Sequence, residues 1–357
     1  MSTGTLLRIL LWIIAALGAQ FILLIVLGTW IQSRAERRNR FRIDCRRRWE
    51  QQIVAFLYEG REPTPFLDLG RAERRLFIPF LLRVLAVMAG REGAAVRRLY
   101  HQARLVRGLN RRLRSRSPRE RALAALEVGT FQVEVYFHRL LGMLNDPVPF
   151  VAHTAARGLA NSQRLEFASP VLDWVLCQDS FQVERQLWIL EGFGPSLLTW
   201  LELRMEGRSE PDVREWILFA KLAASYRSVP HASRLMDMLQ FADPELRVLA
   251  VKAIAALGYP EALPAVRPLV EDPDWVLRSQ AATALGILAG AEAVPSLVEL
   301  LADPVFDVRR HAAQALYRLG AAGAAALRRV AEDPAADPFA RDLARERLQW
   351  EPVMAAP

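Results

Sequence analysis

Histidine and cysteine are among the side chains of this 357-residue chain that could bind a metal ion or act as a nucleophile. The two cysteines, Cys45 and Cys177, lie 132 positions apart, which excludes a four-cysteine zinc site and a disulfide-rich scaffold. The chain has no His-Glu-x-x-His, Cys-x-x-Cys, phosphate-loop or Gly-x-Ser-x-Gly motif. Its five histidines are scattered: His101, His138, His153, His231 and His311. We therefore predict no catalytic residue, no metal ligand and no cofactor.

Aspartate followed by proline recurs through the second half of the chain. This pair, or a related acidic start, occurs at intervals of 29 to 33 residues: Asp146, Asp179, Glu210, Asp243, Asp272, Asp303 and Asp333. An aspartate at the N-cap accepts hydrogen bonds from the free amides of a helix, and proline is tolerated at the first helical position. We therefore predict that these carboxylates cap helices rather than take part in catalysis.

Other residues mark the ends of paired helices on the same period. Ser117 and Glu120 predict a further start, closed by a capping box. Three glycines are predicted to end first helices in the left-handed conformation: Gly258, Gly286 and Gly320. Two prolines are predicted to open second helices: Pro264 and Pro295. A period near 31 residues predicts an α-solenoid of antiparallel helix pairs.

Residues 276–316, VLRSQAATALGILAGAEAVPSLVELLADPVFDVRRHAAQAL, resemble two consecutive HEAT-like repeats of the bilin-lyase (PBS-lyase) type. The resemblance is strong over residues 243–316, weaker over 117–210 and absent before residue 60. It implies an α-solenoid of HEAT-like antiparallel helix pairs, usually a protein-binding scaffold. Some relatives of this type are lyases or hydroxylases. The His-Glu pairs of the diiron hydroxylases are missing here, so we predict a non-enzymatic protein and keep an enzyme as an alternative.

An uncharged apolar stretch lies near the N-terminus. Residues 9–31 contain no charge, and a helix of this length measures about 35 Å, enough to cross a bilayer. Only Arg8 precedes the stretch, whereas many arginines follow it. Because the more basic flank of a membrane helix lies in the cytoplasm, we predict that the N-terminus lies outside and the C-terminal body in the cytoplasm. We therefore predict one transmembrane helix in an inner (cytoplasmic) membrane. Free cysteines fit the reducing compartment.

The basic charge lies next to this stretch. Residues 32–120 carry a net charge of +14, and residues 121–357 a net charge of −7, which opposes nucleic-acid binding by the repeats. These arginines either only fix the membrane topology or also bind anionic lipid headgroups. The candidate lipid-contacting residues are Arg34, Arg37, Arg38, Arg40, Arg42, Arg46, Arg47 and Arg48.

Four tryptophans fall where the repeats depart from their alanine-rich pattern. Aromatic residues anchor many protein interfaces, but they also fill wide seams between helices. Both interpretations stay open for the candidate partner-binding residues, which are Trp174, Trp188, Trp200 and Trp216.

The predicted organisation has five parts. Residues 6–31 form the transmembrane helix, 32–64 a basic helix or linker, 65–116 a divergent cap of two helices, 117–350 the solenoid and 351–357 a tail. The predicted function is a membrane-anchored scaffold or adaptor that binds a protein partner, itself a membrane protein, for example as an accessory subunit in envelope or exopolysaccharide assembly. The alternatives are a HEAT-repeat enzyme and an anionic-lipid sensor. We predict no nucleic-acid partner and no small-molecule substrate.

Overall fold

The computed structural model describes the backbone of residues 3–88, 90–178, 186–206 and 212–349, and their side chains apart from residues 3–19, 21–23, 25 and 71. These residues form α-helices and short 3-10 helices and contain no β-strand, which confirms the predicted all-α class. The chain divides into two compact units, Met1–Arg139 and Leu140–Pro357. The boundary predicted between residues 116 and 117 lies inside the first unit.

The first helix, α1 (Thr3–Tyr58), continues without a break from the apolar stretch through the basic segment. Among the described residues, no helix is both long and apolar enough to cross a membrane. Most side chains of the predicted span, residues 9–31, lie outside that description. The anchor and its orientation therefore stay predictions.

The end of α1 packs into the first unit. Cys45, Trp49 and Ile53 recur at helical spacing and are buried, and the Trp49 ring centroid lies 5.0 Å from that of Phe77 and 5.7 Å from that of Phe80. The region predicted as a linker thus ends in a packed helix. The unit continues with α2 (Thr64–Leu67), α3 (Arg71–Val87), α4 (Gly90–Gln102), α5 (Leu109–Leu113) and α6 (Pro118–Phe131).

Helix α6 begins as predicted, but without the predicted capping box. Ser117 is its N-cap residue and Pro118 its first residue. The Ser117 side chain makes no capping hydrogen bond, and its amide donates to Ser115 Oγ at 3.2 Å rather than to Glu120. The Ser115 hydroxyl therefore replaces the carboxylate that the sequence pattern suggested.

Helix pairs fill the second unit. Five first helices pack side by side in chain order, and each contacts the next: α12 (Val213–Tyr226), α14 (Pro244–Leu257), α16 (Trp275–Leu288), α18 (Phe306–Arg318) and α20 (Pro338–Gln349). Several second helices are short, namely α13 (Ala232–Met238), α15 (Leu263–Val266) and α17 (Val294–Glu299). Pro264 and Pro295 stand at the second positions of α15 and α17, where they were predicted to open these helices. The helices from the unit boundary onwards are α7 (Phe137–Met143), α8 (Pro149–Ala160), α9 (Ala168–Leu176), α10 (Leu187–Leu190), α11 (Ser196–Met205), α12 (Val213–Tyr226), α13 (Ala232–Met238), α14 (Pro244–Leu257), α15 (Leu263–Val266), α16 (Trp275–Leu288), α17 (Val294–Glu299), α18 (Phe306–Arg318), α19 (Gly320–Glu332) and α20 (Pro338–Gln349).

The repeat aspartates take two different roles. Asp243 caps α14 as predicted, accepting the amides of Glu245 and Leu246 at 2.8 and 3.3 Å. The prediction is wrong for Asp272 and Asp303, because α16 and α18 begin two residues later than expected. Each of these carboxylates instead accepts the amide two residues on, which closes a turn ahead of the helix.

The predicted cap is also wrong for the carboxylates of the outer repeats, Asp146 and Asp333. The Asp146 carboxylate accepts a hydrogen bond from the Val148 amide ahead of α8. The Asp333 carboxylate accepts one from the Ala335 amide well before α20, and Asp337 is the residue that caps α20. The predicted starts at Asp179 and Glu210 lie outside the described residues.

Two of the three glycines predicted to end first helices do so. Gly258 and Gly320 have φ of 64° and 62°, in the left-handed region. Gly286 does not end a helix but lies inside α16, where a Cβ would stand 2.6 Å from the Ala315 Cβ of α18. Its missing side chain therefore allows two neighbouring first helices to approach closely.

Candidate functional site

Two of the four candidate tryptophans contact one face of helix α8. His153 and Arg157 lie one turn apart on this helix. The His153 ring meets the Trp174 ring edge-on with centroids 5.0 Å apart, and the Arg157 guanidinium lies 4.8 Å from the Trp188 centroid. Trp188 remains 44% exposed. Trp174 and Trp188 thus flank an accessible surface, and their role in partner binding stays a prediction.

Trp216 belongs to the core, which corrects its place among the candidate binding residues. It is only 7% exposed and meets Phe219 and Phe241 edge-on, with ring centroids 5.9 and 5.1 Å away. Its Nε1 atom is buried and has no hydrogen-bond partner among the described residues. An aromatic residue in a degenerate repeat here fills the seam between helices instead of facing a partner.

Trp200 lies beside an ion-pair network. The Arg204 guanidinium is 5.6 Å from the Trp200 ring centroid, and it bonds to Asp173 of α9 at 2.8 Å and Glu215 of α12 at 2.9 Å. Burial of Arg204 lowers the pKa of its guanidinium, but the two carboxylates outweigh this effect and raise the pKa above its ordinary value. This arginine therefore ties three helices together, and Trp200 covers it.

Three exposed aromatic residues form a second candidate surface, which the sequence analysis missed. They stand in the first turns of the successive first helices α16, α18 and α20, and Trp275 is 43% exposed, Phe306 56% and Phe339 65%. Because these helices pack side by side, their first turns follow one edge of the repeat array. We call these three residues the aromatic edge. The sequence signal for it was an aromatic residue returning once per repeat.

Ion pairs between repeats hold this edge in place. Arg278 of α16 bonds to both carboxylate oxygens of Asp303, at 2.7 and 3.1 Å, and its second terminal nitrogen bonds to the Asp272 carbonyl at 2.9 Å. One repeat earlier, Arg247 pairs with Asp272. Each arginine therefore links its own repeat to the turn that opens the next one.

Arg309 connects two rings of the edge directly. Its guanidinium carbon lies 5.7 Å from the Phe306 centroid and 5.1 Å from the Phe339 centroid. Cation–π contacts of this kind contribute about 0.5–1 kcal/mol at exposed sites. Both rings therefore contact one guanidinium while more than half of each side chain faces solvent.

The eight candidate lipid-contacting arginines are all exposed on α1. Arg40, Arg46 and Arg48 pair with glutamates, the first two within α1 and the third with Glu73 of α3. Residues 31–44 are exposed on every side of the helix, so the remaining basic side chains are accessible. Their contact with lipid stays a prediction.

Potential metal ligands are dispersed. Among the side chains that the structure describes, no three His, Cys, Asp or Glu residues come together in a group that could hold a metal ion. Cys45 is buried and Cys177 exposed, and both are free thiols.

Comparison with known proteins supports the repeat assignment. A family of HEAT repeats matches residues 232–317, which confirms the predicted HEAT-like character of this segment. Comparison with curated protein sequences finds no match.

Several solved structures are similar at low identity. Human deoxyhypusine hydroxylase in complex with glycerol is 20% identical, with 84% of this chain and 96% of that chain covered and a TM-score of 0.29. The complex of CpcE and CpcF of phycocyanin lyase from Nostoc is 16% identical, with 68% and 92% covered and a TM-score of 0.30. Kap121p bound to Nup53p is 13% identical, with 79% and 38% covered and a TM-score of 0.38. Similarity at this level assigns neither an activity nor a partner to this chain.

Proposed function

We propose that this protein is a membrane-anchored scaffold whose HEAT-repeat array binds a protein partner along the aromatic edge. The observation that carries the proposal is the recurrence of Trp275, Phe306 and Phe339, each between 43% and 65% exposed, in the first turn of three successive first helices. Tryptophan is among the residues that contribute most to binding energy at protein interfaces, and aromatic residues generally are enriched there.

The edge suits an extended partner segment. Neighbouring helices pack about 8–10 Å apart, so three first turns offer three aromatic contacts along a line of about 20 Å. The Arg278–Asp303 ion pair joins two neighbouring repeats of the edge. Arg309 contacts the rings of Phe306 and Phe339, so two of the three rings are restrained before binding. Ordered side chains lose less entropy when a partner binds.

The membrane part of the proposal rests on the sequence. Residues 9–31 are free of charge, and the exposed arginines from Arg34 onward follow them directly. We place the N-terminus outside and the repeat array in the cytoplasm of an inner membrane. A tether of this kind raises the effective concentration of the array toward other membrane proteins, so a membrane protein is the partner we propose. An accessory role in envelope or exopolysaccharide assembly fits this layout.

Site-specific photocrosslinking in cells tests the edge. A benzophenone amino acid in place of Phe306 keeps an aromatic ring on the edge and captures whatever lies against it. We expect one dominant crosslinked membrane protein, and we expect W275A/F339A to abolish the crosslink. The matched control is V229A/I287A, which removes two exposed apolar side chains away from the edge.

The control variant and a second crosslinking position, Trp188, distinguish the aromatic edge from the surface beside α8. Retention of the crosslink in W275A/F339A, or equal loss in V229A/I287A, would contradict binding at the aromatic edge. A crosslink to the same protein from Trp188 but not from Phe306 would move the site to the surface beside α8.

A further inference from the structure

The first unit contains an open pocket that none of the functions above uses. Its volume is about 810 Å³, within the range of small-molecule sites. Helix α3, the loop before α5, α5 itself and α6 form its walls, so all its lining residues belong to one compact unit. Apolar side chains line part of it: Ile78, Leu82, Leu105 and Leu123.

The charge of this pocket is strongly one-sided. Seven arginines line it, against two carboxylates, Glu120 and Glu127. The sequence shows the same bias, because residues 93–119 contain nine arginines and no acidic residue. Five of the seven arginines are exposed and make no ion pair or side-chain hydrogen bond with any described residue: Arg75, Arg104, Arg107, Arg111 and Arg114.

A buried network fixes the floor of the pocket. Glu127 is fully buried and accepts hydrogen bonds from Arg112 and from the Tyr100 hydroxyl, each at 2.5 Å. One lining arginine, Arg112, is thereby paired, and its neighbours Arg111 within α5 and Arg114 just after α5 lie close to it in the chain. Above the floor, Arg104 has φ of 53° and Gly108 has φ of 82°, so the loop that carries Arg107 turns sharply around two left-handed residues.

We propose that this pocket binds a ligand with two or more phosphate groups and a compact ring whose face packs on the apolar side chains. Guanidinium groups match phosphate oxygens through paired hydrogen bonds and remain charged at all physiological pH values. Five exposed arginines without partners in the described chain provide more positive charge than one carboxylate or one phosphate neutralises. The apolar wall from Ile78 to Leu123 provides the contact area for the rest of the ligand.

Two sources could supply this chemistry. A soluble nucleotide carries phosphates on a ribose that also bears a flat aromatic base, and a bisphosphorylated lipid headgroup presents phosphates on a ring at a membrane surface. A nucleic acid is a less suitable occupant, since the arginines converge on one pocket rather than follow a strand. The site does not depend on the proposed protein-binding edge, which lies in the other unit, and either can be disproved without the other.

Binding to the detergent-purified full-length protein tests the pocket. The probes are ATP, and phosphatidylcholine vesicles with and without a phosphatidylinositol bisphosphate. The pocket variant is R107Q/R111Q, which removes two exposed arginines that have no partner in the described chain. The matched control is R83Q/R91Q, which removes the same charge from exposed positions of the same unit that do not line the pocket.

We expect R107Q/R111Q to weaken binding of one probe by about tenfold or more and R83Q/R91Q to change it by less than about twofold. ATP binding with this pattern identifies a soluble ligand, and binding only to the bisphosphate vesicles with this pattern identifies a lipid headgroup. Equal weakening by the two variants would show that binding depends on the overall positive charge of the unit and not on the pocket, and would overturn the proposal. Polyglutamate is added as a polyanion that lacks phosphate, and we expect it to bind more weakly than the phosphate probes. Polyglutamate binding as tightly as those probes, or no binding of ATP or of the bisphosphate vesicles, would overturn the proposal as well.

Discussion

Arg278 bonds to both carboxylate oxygens of Asp303, which opens the next repeat 25 residues further along the chain, with nitrogen–oxygen distances of 2.7 and 3.1 Å. Both side chains are mostly buried. The aspartate also accepts the Val305 amide at 2.8 Å, so a single carboxylate both shapes a turn and joins two repeats. In a repeat array, where each unit contacts only its neighbours, such an ion pair contributes directly to the coupling between units.

Removing the charge of this ion pair should destabilise the array. D303N keeps an oxygen for the Val305 amide but leaves the Arg278 guanidinium without its anion, and we expect a loss of about 2 kcal/mol in the free energy of unfolding. The control is D307N, because the Asp307–Arg310 pair of α18 is nearly half exposed on both sides and should contribute less than about 0.5 kcal/mol. Urea denaturation followed by circular dichroism measures both. Equal effects of the two variants would contradict a structural role for the Arg278–Asp303 pair.

The same ion pair predicts a loss of stability in acid. Burial opposes ionisation of Asp303, but the hydrogen bonds from Arg278 and the Val305 amide outweigh it and hold the pKa of this carboxyl below its ordinary value. A lowered pKa stabilises the fold at pH values above the ordinary aspartate pKa of about 3.9, and this contribution is lost as the pH falls through the folded-state pKa. The difference in unfolding free energy between wild type and D303N should therefore be constant above about pH 5 and shrink below about pH 4. A difference that grows in acid would contradict this account.

The close approach of α16 and α18 predicts a steric effect. In G286A the new methyl group would stand 2.6 Å from the Ala315 Cβ and 2.8 Å from its Cα, so one helix must move. We expect G286A to lower the unfolding free energy by about 1–3 kcal/mol. G142A is the control, because Gly142 lies in α7, where an added methyl group would meet nothing within 4 Å, and alanine favours a helix. Thermal unfolding of the two variants should shift in opposite directions.

The two tryptophans Trp188 and Trp216 predict losses of stability of very different size for the same substitution. W216A empties a core position beside Phe219 and Phe241 and should cost about 3–5 kcal/mol of stability. W188A removes a 44% exposed ring and should cost less than about 1 kcal/mol, the contribution of its contact with Arg157. Thermal melts of the single variants separate these effects. A W188A variant that unfolds like W216A would show that Trp188 is structural and would remove it from the candidate binding residues.

The sequence predicted those features that depend on local chemistry. The helix-pair period, the left-handed ends at Gly258 and Gly320 and the cap at Asp243 follow from residue types a few positions apart. Asp272 and Asp303 repeat the Asp-Pro pair, but their carboxylates are engaged by arginines of the preceding repeat, which no local pattern reveals. Trp216 and Trp188 likewise differ only in tertiary burial.

The pocket of the first unit shows the same limit. The arginine-rich, acid-free stretch of residues 93–119 is visible in the sequence, and it suggested only a basic surface. The walls of the pocket, however, also include Arg75 and Ile78 of α3 and Glu127 of α6, which lie more than 10 residues before and after α5. Concavity is created by packing, so it could not be predicted from composition.

The two cysteines allow the predicted orientation to be tested on the native chain. Cys177 is exposed and Cys45 buried, so a membrane-impermeant maleimide should label the folded protein at Cys177. With the repeat array in the cytoplasm, we expect no labelling in intact spheroplasts and labelling after permeabilisation. T5C in a C177S background is the converse probe, because the positive-inside asymmetry places the N-terminus outside, where labelling should occur without permeabilisation. Labelling of Cys177 in intact spheroplasts would contradict the predicted orientation. Recovery of the protein in the soluble fraction after carbonate extraction would contradict the predicted membrane anchor.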